Sequence, residues 1–158
     1  MFLKDGNHQH MFFLLRERRL IRIIGAQTED NAQKYLLMRN LAEEVIKHGA
    51  DAVITIGEVW LAPVASVKPY ERAADSSERQ EALTAALITK GGMTVEMRAM
   101  ITRDGNRLSL GDTEIDRSAV LMFFAPVYKA WKQPIPDGWI ERATGILDSQ
   151  SEKSQARE

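Results

Sequence analysis

The alternation of side chains after one glycine pair constrains this fold most. Residues 90–92, Lys-Gly-Gly, separate the segments 82–89 and 93–102. In the second segment, four apolar side chains alternate with polar ones: Val95, Met97, Ala99 and Ile101. A period of two is typical of a strand, and a short glycine-containing turn joins neighbouring antiparallel strands. The sequence therefore predicts an antiparallel hairpin here.

A second hairpin and a helix are predicted before it. Residues 11–15 and 20–24 are short apolar runs, separated by the charged residues 16–19. From Thr28, a candidate N-cap, the apolar period changes to that of a helix, which His48 and Gly49 end. The predicted apolar stripe of this helix contains Tyr35, Met38, Leu41, Ala42, Val45 and Ile46.

The middle and the end of the chain show three further patterns. Residues 52–61 are β-branched and apolar on both faces, which predicts a central strand covered on both sides. Residues 62–80 lack apolar periodicity and predict a long loop. Beyond the turn at 104–106, residues 108–110 predict a short strand, whereas the apolar segment 119–128 fits either a strand or a buried helix.

This order, strand-strand-helix-strand-strand-strand, predicts an α+β fold. We expect an antiparallel sheet of about five or six strands with one long helix packed on a face. A chain of 158 residues suits one domain, which we place at residues 1–147. Residues 148–158 carry no large apolar side chain, so we expect a disordered tail.

Composition excludes several classes of function. The chain has no cysteine, and therefore no disulfide, thiolate zinc site or cysteine nucleophile. This fits a reducing compartment, and we expect a cytoplasmic protein without a signal peptide. The longest apolar run, residues 119–128, is too short to cross a membrane. A net charge of −1 gives no general attraction for nucleic acid, and the sequence requires no cofactor.

Two histidines and one glutamate are candidate metal ligands. His8 and His10 would point to the same side of an extended segment, and Glu58, His48 or Asp5 could supply a third ligand. The alternative is a polar loop near the terminus. Glu58 follows Gly57 within an apolar strand, where a carboxylate acts as a general base or metal ligand, or simply pairs with an arginine. A metal-dependent hydrolase using His8, His10 and Glu58 is one functional hypothesis.

The charged hairpin is a candidate phosphate site. Its basic residues are Arg16, Arg18, Arg19 and Arg22. Such a patch can hold phosphate or nucleic acid, but a hairpin turn is also where solvated charge normally lies. Glu96 and Arg98, with Glu78 and Glu81 near the long loop, suggest a nuclease-type acidic cluster. We reject it unless the loop gathers acidic residues, because the expected lysine is missing and alternation along a strand explains Glu96 and Arg98.

Aromatic residues near the C-terminus are candidates for an interface. Tyr128, Trp131 and Trp139 accompany Pro134 and Pro136, and such a segment packs either against a partner or over the domain's own core. The sequence shows no group of catalytic residues that would argue against the first alternative, packing against a partner. The function we expect is therefore a non-catalytic binding or assembly module that forms a homodimer, using a sheet edge or this segment.

Two segments carry a resemblance to known proteins. Residues 5–14, DGNHQHMFFL, and residues 49–60, GADAVITIGEVW, resemble segments of small uncharacterised bacterial and phage proteins. The resemblance covers about the first half of the chain and implies no particular activity. It singles out His8, Glu58 and Trp60 as the first residues to mutate.

Overall fold

Two β-hairpins joined through a helix and a central strand build the fold. The computed structural model describes residues 9–28, 31–67, 73–119 and 121–139. The strands are β1 His10–Arg16, β2 Arg19–Ala26, β3 Ala52–Leu61, β4 Gln80–Thr89, β5 Thr94–Asp104, β6 Arg107–Leu110 and β7 Glu114–Asp116. The helices are α1 Asn31–His48 and α2 Ala125–Ala130.

The strands form one antiparallel sheet, as predicted. Its order is β2-β1-β3-β4-β5-β6, and β7 also pairs with β5. The α+β class and both hairpins are confirmed. Within the described ranges, the sheet has seven strands rather than five or six. The sequence does not indicate β7, which is only three residues long and too short to show a periodicity.

The first hairpin turns on non-glycine residues. Glu17 and Arg18 have φ values of 50° and 65°, the left-handed conformation that two-residue hairpin turns require at both central positions. An Asn-Gly pair adopts this conformation at a lower cost in free energy, and without such a pair the sequence indicates the turn less strongly. The backbone N–H of Glu17 donates to Oδ2 of Asp51 at 2.8 Å, which ties the turn to the start of β3.

Helix α1 packs one stripe against the sheet. Met38, Leu41, Ala42 and Val45 are buried as predicted, but Ile46 is 65% exposed because it lies at the margin of the stripe. The helix is described from Asn31, and residues 29–30, where the predicted start falls, lie outside the described residues. It ends at His48, and Gly49, with φ +63°, gives the left-handed residue that commonly follows a helix.

The apolar segment near the C-terminus is helical. Residues Met122–Phe124 form a 3-10 turn that leads into α2. The prediction of one long helix is therefore not confirmed, since the helical layer contains α1 and this second, short helix. Both lie on the same face of the sheet. Their core includes Phe12, Leu14, Met38, Leu41, Val45, Val53, Ile88, Phe124, Val127 and Trp131.

Strand β3 has the predicted bounds but not the predicted cover. Val53 and Thr55 are buried beneath the helices. On its other face Ile54 and Ile56 are only half-buried, and Trp60 is 45% exposed. Among the described residues, no helix covers this second face. The expectation of cover on both sides is therefore wrong for the part of the chain that the structure describes.

The predicted loop at 62–80 contains short ordered turns where it is described. Val64–Ser66 and Ala73–Asp75 are 3-10 turns, and the hydroxyls of Ser66 and Ser76 lie 3.0 Å apart. The predicted tail at 148–158 lies outside the described residues, and the single domain at 1–147 stays a prediction. None of the helices in the described ranges combines the length and apolarity needed to span a bilayer.

Candidate functional site

The face of the sheet opposite the helices is apolar across its full width. Directly paired residues in neighbouring strands point to the same face, so the register identifies its members. One row across the sheet is Ile23, Phe13, Ile54, Leu87 and Val95; the next is Met11, Ile56, Ala85, Met97 and Ile115; a third contains Leu83 and Ala99. We call these twelve residues the open face.

The open face departs from the usual pattern of an antiparallel sheet. Sheets with one solvated face normally alternate apolar and polar residues along each strand. Here the outward positions of the four central strands are apolar in the first two rows, and Glu58 is the β3 residue of the third. Ile23, Met97 and Ile115 are 50%, 42% and 54% exposed, respectively. An apolar surface of this extent typically marks a contact with another layer or another molecule.

Charged residues appear only where the open face ends. Glu58 lies opposite Leu83, and Trp60 lies opposite Glu81. Arg103 reaches Glu81 from β5 through two hydrogen bonds of 2.7 and 2.8 Å. These bonds lower the pKa of the Glu81 carboxyl. They also raise the pKa of Arg103, to which the charge of Glu58 contributes further. The result is an ionic margin at one end of an apolar surface.

Glu58 is the unusual member of this margin. Its Oε1 atom is buried and has no hydrogen-bond partner, unlike every other buried side-chain nitrogen or oxygen of the described residues. The sequence interpretation that a carboxylate here pairs with an arginine fits Glu81 better than Glu58. A buried acceptor without a donor costs free energy, so it requires a specific explanation.

A cleft of about 700 Å3 lies beside Glu58, where β3 extends past the start of β1. Its described lining residues are Gln9, His10, Ala26, Gln27, Thr28, Gln33, Glu58, Val59, Trp60 and Glu81. Two are carboxylates, and six others carry an amide, a hydroxyl, an indole or an imidazole group that can donate hydrogen bonds. Lysine and arginine do not occur among these described lining residues.

His10 lies under the helical layer rather than on the open face. It shares a strand face with Phe12, and the two rings stack with centroids 4.6 Å apart. Its Nε2 atom is 2.7 Å from Oγ1 of Thr55. The ring also covers Gly57, where an added Cβ would lie 2.9 Å from Cγ of His10. Glycine at position 57 therefore makes room for the histidine.

The proposed metal ligands are only partly brought together. His10 and Glu58 line the same cleft, whereas His8 lies outside the described residues. Within the described ranges, no three histidine, aspartate or glutamate side chains gather closely enough to hold a metal ion. The hydrolase hypothesis thus has two of its three residues at one cleft, and it stays a prediction.

The arginines of the first hairpin are partly engaged within the chain. Nε of Arg22 lies 2.7 Å from a carboxylate oxygen of Glu44 on α1. Arg16 donates to the carbonyl of His48 at 3.4 Å, near the end of the same helix. Arg19 lies directly opposite Arg16, and Arg18 is at the turn. Phosphate binding by these arginines stays a prediction.

The aromatic segment contributes mainly to the core of the chain itself. Tyr128 and Trp131 are buried, and Nε1 of Trp131 donates to the carbonyl of Ala50 at 2.9 Å. Burial raises the pKa of the Tyr128 hydroxyl. Trp139 is half-buried against the same core. In the structure, the described residues of this segment pack over the domain core, one of the two alternatives.

Sequence reasoning missed the open face and the Glu81–Arg103 pair. The sequence contains a signal for this face, because every second residue is apolar over part of β3, β4 and β5. It could be used only once the register was known, since a shift by one residue exchanges the two faces of a strand.

Fold and site together define a class: an α+β protein whose antiparallel sheet is covered by helices on one face and presents apolar side chains on the other. The model of the family described as Bacteriophage lambda protein ea47 matches residues 1–145. The chain belongs to this family. This confirms the resemblance to phage proteins. No curated protein and no solved structure matches the chain.

Proposed function

We propose that this protein is a non-catalytic assembly module that forms a homodimer through the open face. The observation that carries the proposal is the uninterrupted apolar character of that face across the central strands. A sheet face of this kind is stable when another layer covers it. A second copy supplies such a layer without any further component.

The open face supplies much of the area of a stable dimer interface. Its rows together span six strands, and strands lie about 4.8 Å apart, which makes the face about 29 Å wide. The three rows cover five residues along β4 and β5, which at about 3.4 Å each give a length of about 17 Å. The projected area is therefore about 500 Å2, more than half of the roughly 800 Å2 that each partner contributes to a standard interface.

A twofold arrangement is compatible with the chemistry of the face. In such a dimer, each copy uses the same surface, so the surface must be complementary to itself. Apolar side chains meet this condition, whereas a charge near the centre would face a like charge. The charged residues Glu58, Glu81 and Arg103 lie at one end instead. Two sheets packed this way would form a sandwich with helices on both outer sides.

A lysine substitution on the open face tests the proposal. Met97 is partly exposed near the middle of a row, so Met97→Lys leaves the helix-covered core intact but puts a charge in the interface. Ile46→Lys is the matched control, because Ile46 is equally apolar and exposed on α1. We expect native mass spectrometry to show dimers for the wild type and the control, and monomers for Met97→Lys.

A labelling experiment checks the same surface without introducing charge. The chain has no cysteine, so Met97→Cys and Ile46→Cys each give a single thiol. We expect maleimide to react slowly with position 97 and rapidly with position 46, with protection at 97 lost on dilution below the dimer dissociation constant. A wild type that stays monomeric at high protein concentration, or a Met97→Lys variant that remains dimeric, would refute the proposal.

A further inference from the structure

The cleft beside Glu58 has its own chemistry, distinct from that of the open face. We propose that it binds an organic cation, a guanidinium or ammonium group, with Glu58 as the principal acceptor. This goes beyond the assembly function and does not depend on it. The inference rests on an unsatisfied acceptor, an aromatic ring and the neutral or acidic lining of one cleft.

The acceptor lacks a donor from the described part of the chain. Oε1 of Glu58 is buried without a hydrogen-bond partner. Arg103 lies near enough to feel the charge of Glu58, but it donates both of its short hydrogen bonds to Glu81. Since a buried carboxylate oxygen is stable only with a donor, the structure favours a donor that arrives with a ligand.

The Trp60 ring at this cleft already packs against the guanidinium of Arg79. Arg79 lies over the Trp60 ring, with its guanidinium carbon 5.1 Å from the centroid. Cations are attracted to the faces of aromatic rings, and the indole of tryptophan attracts them most strongly. Trp60 remains 45% exposed, so the ring has surface left to contact a ligand in the cleft.

The remaining lining selects for positive charge. Glu58 and Glu81 are its described acidic residues, while Gln9, Gln27 and Gln33 contribute neutral amides. A guanidinium donates charge-assisted hydrogen bonds to carboxylate oxygens, and Oε1 of Glu58 has no partner among the described residues. A volume of about 700 Å3 lies within the usual range of small-ligand sites and accommodates a guest of the size of an arginine side chain.

Isothermal titration calorimetry with agmatine, which carries a guanidinium and an ammonium group, tests the inference on the full chain. The variants are Glu58→Gln and the matched control Glu43→Gln, which removes an equal charge from the exposed side of α1. We expect wild type and control to bind alike, and Glu58→Gln to bind at least about tenfold more weakly. Thermal unfolding should show that Glu58→Gln is no less stable than wild type, because it removes an unsatisfied carboxylate.

Two further titrations identify the source of the cation. An acetylated peptide with a single arginine that binds more tightly than agmatine would indicate a protein segment, and the reverse would indicate a free amine. The inference is overturned if the wild type does not bind either probe, or if Glu58→Gln binds them equally well. It is also overturned if Zn2+ binds and the organic cations do not, an outcome that would favour the metal site.

Discussion

Gly57 and His10 form a pair whose interaction can be measured directly. Gly57→Ala adds one methyl group, and its carbon would lie 2.9 and 3.0 Å from Cγ and Cδ2 of the His10 ring. The ring cannot move away easily, because it stacks on Phe12 and lies 2.7 Å from Thr55 Oγ1. Overpacking of this kind costs about 1–3 kcal/mol.

Removing the ring should reverse the sign of the effect. Gly57 does not adopt a left-handed φ, so alanine fits its backbone without strain. In a His10→Ala background, Gly57→Ala should therefore stabilise the fold by about 0.4–1 kcal/mol, because it restricts the unfolded chain. The effect of Gly57→Ala differs between the two backgrounds by about 1.4–4 kcal/mol, well above the additivity error for independent sites.

Urea unfolding followed by tryptophan fluorescence gives the four free energies of this cycle. With a denaturant slope of about 2 kcal/mol per molar, the predicted coupling shifts the difference between midpoints by about 0.7–2 M. The reasoning is refuted if Gly57→Ala destabilises both backgrounds equally. In that case, the cost would come from the strand itself and not from contact with His10.

Three further predictions concern a hydrogen bond of Trp131, the charge of Lys34 and the Glu81–Arg103 ion pair. Trp131→Phe removes the hydrogen bond to the Ala50 carbonyl and should lower the free energy of unfolding by about 1–3 kcal/mol, measured by urea unfolding. Burial lowers the pKa of Lys34, so the folded state becomes more stable as pH rises towards 10.5. Lys34→Met should therefore stabilise the protein at neutral pH, and the advantage of the variant over the wild type should shrink in alkaline buffer. Arg103 lowers the pKa of Glu81, so the ion pair stabilises the fold above pH 4.5 and its contribution is lost as pH falls further. In thermal unfolding, Glu81→Gln should not show this part of the loss of stability in acid.

The residues of the candidate site were only partly predictable. Glu58 stood out as a carboxylate within an apolar strand, and the structure shows its Oε1 buried without a partner. Its neighbours at the cleft could not be foreseen, because Glu81 comes from the far side of a long loop and Gln33 from a helix. The sequence linked Glu81 to a nuclease-type cluster, whereas the structure pairs it with Arg103. Side chains so far apart in sequence meet only through the tertiary fold.

Local chemistry determined the elements of this protein. The β-branched run at 52–61 forms β3 with the predicted bounds, and the glycine pair at 91–92 lies in the turn between β4 and β5. Both signals arise from backbone preferences of neighbouring residues, so one sequence suffices to read them. The same holds for the stripe of α1, apart from Ile46 at its margin.

Only the tertiary structure decided how these elements are layered. The segment 119–128 fitted a strand or a helix equally well, and packing beside α1 made it helical, with Trp131 bonded to Ala50. Both faces of β3 are apolar, so its sequence could not indicate which face the helices cover. That choice follows from strand register and helix packing, which depend on contacts between distant residues. The apolar face that remains, with Glu58 at its end, is the consequence of that choice.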